Sequence, residues 1–188
     1  MKSPSSNSRR RFLAVGATTL AAGLSSVATS AIAGPAKTTP RSIAFDNLHT
    51  GESVRTVYWA DGQYVPESLA EIDRLLRDFR TNETKAIAPK LLDVLHTIAE
   101  RLGTNRPIQL ISGYRSPATN AVLHARSSGV AKHSLHMDGM AADIRIPGHD
   151  LAQLRDAALS LQAGGVGFYP RSDFVHVDVG RIRHWSGV

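Results

Sequence analysis

Ser134-Leu135-His136-Met137-Asp138-Gly139-Met140-Ala141-Ala142-Asp143-Ile144-Arg145-Ile146 holds a histidine and an aspartate seven residues apart, separated by small residues and followed by an apolar run. Gly139, Ala141 and Ala142 allow close backbone approach, and the β-branched Ile144 and Ile146 make Asp143 part of a strand. Thirty-three residues beyond Asp143, Phe174-Val175-His176-Val177-Asp178-Val179 carries another histidine inside a β-patterned run. Two imidazoles and one carboxylate form a three-ligand set suited to Zn2+, with a fourth position left for water; structural zinc sites close that position. The helical H-E-x-x-H zinc pattern is absent, and strands supply the rigid ligand placement a metal needs. The plainer reading is that histidines sit mostly on the surface or in satisfied core positions, and that an aspartate near glycine marks a turn.

The pattern Ser-x-His-x-x-Gly-x-Ala-x-Asp, followed by a strand histidine, resembles the zinc peptidases of the D-alanyl-D-alanine carboxypeptidase and dipeptidase group, whose fold is shared with the hedgehog signalling domain. Leu110-Ile111-Ser112-Gly113-Tyr114-Arg115-Ser116, Ala163-Gly164-Gly165-Val166-Gly167-Phe168-Tyr169-Pro170 and Phe174-Val175-His176-Val177-Asp178 are similar, in that order, to segments of the MepK murein endopeptidases. The likeness runs from about Arg41 to Trp185. It implies an α+β single domain with a central antiparallel sheet and helices packed on one side. It further implies Zn2+ on His136, Asp143 and His176, and peptidoglycan as the partner. The bonds implied are meso-diaminopimelate–meso-diaminopimelate (3-3) cross-links, with D-Ala–diaminopimelate bridges as a secondary target. Two alternatives share the fold: a D,D- or L,D-carboxypeptidase, and a zinc-stabilised peptidoglycan-binding module without turnover.

Peptide hydrolysis at such a site needs a general base and a proton for the leaving amine. Many relatives in the resembled group carry a Glu or Asp three residues before the last histidine, and Asp173 stands there. Asp178 is the rival: two residues past His176 on a strand, it points to the same face. It is equally suited to orient His176 or Arg115. Arg115 falls just past a strand end, where side chains face clefts. It matches the arginine that related enzymes set over the substrate, and its fork suits a carboxylate or an oxyanion. His184, beside Trp185, is the reserve candidate for lining the cleft and binding the tetrahedral intermediate. Tyr114 and Tyr169 are expected to line the groove, whereas His49, His96, His124, His133 and His149 receive no ligand role.

Outward from these motifs, Ser42-Ile43-Ala44-Phe45 and Val54-Arg55-Thr56-Val57-Tyr58 read as a hairpin. Apolar stripes predict helices over residues 66–80 and 89–102, opened by Pro66 and Pro89. Further helices are expected over 117–126 and 151–161, a strand over 107–111, and an antiparallel pair at 166–169 and 174–179.

The first 33 residues read as a cleaved leader: Ser8-Arg9-Arg10-Arg11-Phe12-Leu13 is a twin-arginine pattern, residues 14–24 are apolar, and Ala31-Ile32-Ala33 offers a cleavage site. Residues 34–40 form a linker and 41–188 the catalytic domain. The leader holds four of the 22 basic residues and no acid, so the net charge of +6 falls to +2 without it. No polybasic stripe remains to argue for nucleic acid. A periplasmic monomer with no lasting membrane insertion is expected. The absence of cysteine removes thiolate ligands and fits a domain that folds without disulfides.

Overall fold

The two alternating segments around Asn47-Leu48-His49-Thr50-Gly51 form the expected hairpin, β1 (Arg41–Asn47) pairing antiparallel with β2 (Ser53–Ala60). In the computed structural model residues 39–126 and 129–187 are described. The leader read at 1–33, and all of the 34–40 linker but its last two residues, lie outside them.

The chain continues through β3 (Gln63–Tyr64), α1 (Pro66–Leu75), α2 (Pro89–Arg101), β4 (Ile108–Ser112) and α3 (Pro117–Arg126). A short 3-10 turn (Leu135–Asp138) leads into β5 (Ala141–Arg145), followed by α4 (Leu151–Leu159), β6 (Gly165–Tyr169), β7 (Phe174–Asp178) and β8 (Arg183–Ser186). Among the described residues the strands make one eight-stranded sheet in the order β3-β2-β1-β4-β5-β7-β6-β8. The sheet is mixed rather than antiparallel throughout, because β1 pairs parallel with β4 and β6 parallel with β8. Neither parallel pairing has a local signature, and β8 is too short and polar to announce itself by pattern.

Strand alternation divides the sheet into two unlike faces. Ala142 and Ile144 of β5, Val166 of β6, and Val175 and Val177 of β7 join one core with Leu91, Leu92, Leu95 and Ile98 of α2 and Leu154 of α4. Helices α1, α2 and α4 pack against the sheet. The prolines at the first turns of α1 and α2 cost no helical hydrogen bond, and Asp150 and Gln153 close a capping box on α4. Helix α3 contributes no side chain to that core; its buried residues are the polar Thr119 and Asn120. The opposite face, bearing Asp143, His176 and Asp178, is buried but polar.

The helix expected over 66–80 ends at Leu75. Its apolar stripe continues through Leu76, but long-range contacts turn the backbone away. The Leu76 carbonyl accepts from the Tyr114 N–H at 2.7 Å, and the Asp78 carboxylate accepts the N–H groups of Ser116 and Arg80, both at 2.9 Å. Burial pushes the Asp78 carboxyl up, but hydrogen bonds from Thr119, Ser116 and Arg80 prevail and hold it at about 2. Phe79 leaves the core stripe and stacks on His49, centroids 4.0 Å apart. Tyr114, expected in the groove, is buried in the core instead.

This junction fixes Gly113. A Cβ there would lie 2.5 Å from the Leu76 carbonyl oxygen and 2.8 Å from the Leu76 Cβ. Gly113→Ala is therefore expected to cost about 1–3 kcal/mol through overpacking, read as a lower urea midpoint with an unchanged m-value.

Candidate metal centre

A shift of register between Leu110 and Ser112 puts Ser112 opposite Asp143. The chain then leaves β4 with the Gly113 carbonyl facing the 3-10 turn. Gly139 ends that turn at φ 67°, a conformation glycine adopts without a steric penalty. These two local features bring His136 beneath the sheet face. β5 and β7 do the rest: Asp143 and His176 are direct cross-strand partners.

The three side chains meet at atoms His136 Nε2, His176 Nδ1 and Asp143 Oδ1. The separations are 3.1 Å between the two nitrogens, 3.2 Å from His136 to Asp143 and 2.9 Å from His176 to Asp143. A tetrahedral Zn2+ with bonds of about 2.0–2.1 Å spaces its ligand atoms by about 3.3 Å, so the triangle is close to the size such an ion sets. His136, Asp143 and His176 are all buried.

The far nitrogens define which lone pairs point inward. His136 Nδ1 lies 2.7 Å from the Gly113 carbonyl oxygen, so that nitrogen carries the proton and Nε2 is left as a lone pair. His176 Nε2 lies 3.1 Å from Asp178 Oδ2, which holds the other proton outside the triangle. With both tautomers set this way, two nitrogen lone pairs and a carboxylate oxygen aim at a common point. Three acceptors so placed repel one another unless a cation or a proton sits among them, and the donor set fits zinc.

Asp178 has no free lone pair for other work. Its Oδ1 accepts the N–H groups of Gly165 and Gly180, both at 2.9 Å, and Arg183 Nη1 at 3.1 Å. Its Oδ2 takes His176 and Arg183 Nη2, the latter at 2.6 Å. Burial pushes the Asp178 carboxyl up, but these donors outweigh it and keep the group well below the usual carboxylate range. Asp143 is held low in the same way, burial opposing and the two histidines prevailing.

The other sequence candidates fall in different places. Arg115 is close, its Nη2 3.6 Å from Asp143 Oδ2 and its side chain 11% exposed; burial lowers its pKa. Asp173 is 61% exposed and paired with Arg145 Nη1, at a left-handed φ of 55°. His184 does not join the site. It is exposed, and strand alternation turns it to the other face from Trp185. Trp185 occupies the place expected of His184: opposite Gly167, which itself faces His176, with its ring 5.2 Å from that imidazole.

Three contributors have no local signal in the sequence: the Gly113 carbonyl, Arg183 and Trp185. The last two enter only through the parallel pairing of β8 with β6. Gly167 permits that approach, since a Cβ there would lie 2.7 Å from the indole. The Trp185 N–H donates to the Tyr169 hydroxyl at 2.8 Å, and the Tyr169 ring stacks on Phe174.

A family-wide profile described as "Peptidoglycan L,D-endopeptidase MepK" matches residues 35–185. Proteins with that name from Escherichia coli K12 and Shigella flexneri are each 48% identical over 177 residues, covering 94% of this chain and 96% of theirs. A Haemophilus influenzae protein named "Probable peptidoglycan L,D-endopeptidase MepK" is 40% identical over 181 residues, covering 96% of each chain.

Two measurements probe the centre. Burial pulls the His176 pKa down, but hydrogen bonds to Asp143 and Asp178 outweigh it and leave the metal-free ring raised to about 9. Its stabilising contribution is therefore full below about pH 6.5 and lost as pH rises through 9. Zinc needs the Nδ1 lone pair, so loading at pH 7.5 should release a proton from this ring, visible as a buffer-dependent binding enthalpy. Asp178→Asn should weaken zinc affinity by about 10–100-fold in a chelator competition assay.

Proposed function

Since the chain belongs to the Peptidoglycan L,D-endopeptidase MepK family, we propose that it is a zinc-dependent murein endopeptidase of the periplasm, exported by the twin-arginine route, that hydrolyses diaminopimelate–diaminopimelate (3-3) cross-links. The observation that supports this most is the convergence of His136 Nε2, Asp143 Oδ1 and His176 Nδ1, with the tautomers set by Gly113 and Asp178. His136, Asp143 and His176 would hold the ion. Bound there, Zn2+ supplies Lewis-acid polarisation of the scissile carbonyl and makes water a nucleophile near neutral pH.

The remaining groups divide the work by their surroundings. Asp178 is a positioning residue, because both its oxygens are committed to His176, Arg183 and two backbone N–H groups. Asp173 is the general base. Its carboxylate is open to solvent, and among the described residues its only hydrogen bond comes from Arg145, leaving Oδ1 to take a proton from water and return it to the leaving amine. Arg115 holds a substrate carboxylate or the developing oxyanion with its buried guanidinium. Trp185 and Tyr169 wall the β8 side and keep bulk water off the reacting amide.

Purified murein incubated with zinc-loaded or chelated protein, followed by mass analysis of the muropeptides, tests the reading. Loss of 3-3 dimers only with metal is the expected result. Release of terminal D-Ala with intact cross-links would make the protein a carboxypeptidase, and murein binding without cleavage would make it a recognition module. Asp173→Asn is expected to lower kcat by about 10²–10⁴ while zinc stoichiometry, measured by mass spectrometry of the native protein, stays at one.

A further inference from the structure

Among the described residues, two buried side-chain polar atoms lack a hydrogen-bond partner, and both are arginine Nε atoms: those of Arg115 and Arg145. A buried N–H of a charged group left unpaired is costly, so the recurrence of this defect around one aspartate calls for a cause. Arg115 touches Asp143 directly. Arg145 lies two residues further along β5, on the same face as Asp143 by strand alternation and roughly 7 Å along the strand.

Their bonded ends differ. Arg115 contacts Asn120 through Nη1 at 3.4 Å and Asp143 through Nη2 at 3.6 Å, both long. Arg145 gives Nη1 to Asp173, and its side chain is 35% exposed. The Nε–Nη2 edge of Arg145 has no protein partner among the described residues. That edge presents two parallel N–H donors, the geometry that receives a carboxylate side-on. Asp173 does not compete for it. It holds the opposite corner of the guanidinium and fixes the plane.

We propose that Arg145 is a second carboxylate anchor, working beside Arg115 on a substrate whose scissile amide is flanked by a carboxylate on either side. This rests on the endopeptidase reading and names the chemistry that its site selects. Two diaminopimelate residues joined through one amide fit it. One free carboxylate sits on the carbon bearing the scissile nitrogen, and another lies at the far end of the acyl donor's side chain. The free edge of Arg145 and the guanidinium of Arg115, on the same side of the sheet as Asp143, meet two carboxylates flanking the amide. A cross-link lacking one carboxylate would leave one Nε buried and unpaired, which is how such a site discriminates.

Arg145 has a competing role, that of merely orienting Asp173, and the two roles differ in what they do to KM and kcat. The test uses the zinc-loaded mature protein with a synthetic 3-3 linked diaminopimelate peptide and its two monoamidated forms. Arg145→Gln should raise KM for the diacid by about 10–100-fold. On one of the monoamides, and only one, it should leave KM unchanged, because the lost partner is already absent there; any effect on kcat through the lost contact with Asp173 is common to all three substrates. Arg145→Lys should recover only part of the loss, since an ammonium cannot bind side-on through two donors.

A fall in kcat with KM unchanged on the diacid would assign Arg145 to Asp173 alone and overturn the anchor; so would an equal rise in KM on the diacid and both amides. Calorimetric binding of the diaminopimelate-containing product peptide separates this inference from the endopeptidase reading. If the wild type cuts no cross-link but binds that peptide in an Arg145-dependent way, the anchor stands and the endopeptidase reading falls. Binding indifferent to Arg145→Gln sinks the anchor.

Discussion

Two hydrogen bonds on the outer sides of two imidazoles hold the centre in register: His136 Nδ1–H to the Gly113 carbonyl and His176 Nε2–H to Asp178. They decide which nitrogens face Asp143, and much of the surrounding architecture serves them. The turn at Leu76 and Asp78 locks the end of β4 so that the Gly113 carbonyl arrives at the right height. The pairing of β8 with β6 delivers Arg183 to Asp178 through two charged contacts. Neither device touches the reacting position. Both govern whether three lone pairs converge or scatter.

The division of the sheet into an apolar and a polar face follows from the same economy. β5 and β7 are neighbours near the middle of the sheet, and every second residue on each goes to the helices. Val175 and Val177 pack into the core while His176 and Asp178 turn the other way. A buried polar face is expensive unless satisfied. Here Asp178 takes five hydrogen bonds, and the acidic and basic groups balance in pairs. The exceptions are the two arginine Nε atoms at the rim of the site.

The meeting of His136, Asp143 and His176 was legible because its information is local: a seven-residue spacing, a glycine at a forced turn, and a histidine in an alternating strand. The hairpin, the proline-opened helices and the β6–β7 pair were legible for the same reason. What could not be read depends on partners distant in the chain. The stripe of α1 gives no hint of its end, because Tyr114 and Ser116 impose it from nearly forty residues away. His184 and Trp185 are adjacent, and only the register of β8 on β6 decides which faces His176. Chemistry favours an imidazole at that position, and the pleat gives it to the indole. Likewise Asp178 looked like a base on spacing alone, because the donors that saturate it come from β6, β8 and the loop between β7 and β8.

The placement of His136, Asp143 and His176 would also set how fast a bound ion is traded. Asp143 and His176 sit on adjoining inner strands, which open only when the whole sheet comes apart. His136 rides on a four-residue turn outside the sheet, tied by its bond to Gly113, by the Arg115 N–H on the His136 carbonyl and by the Ala88 N–H on the carbonyl of the capping Gly139. An ion bound there is therefore expected to exchange through opening of this turn, ahead of unfolding of the sheet.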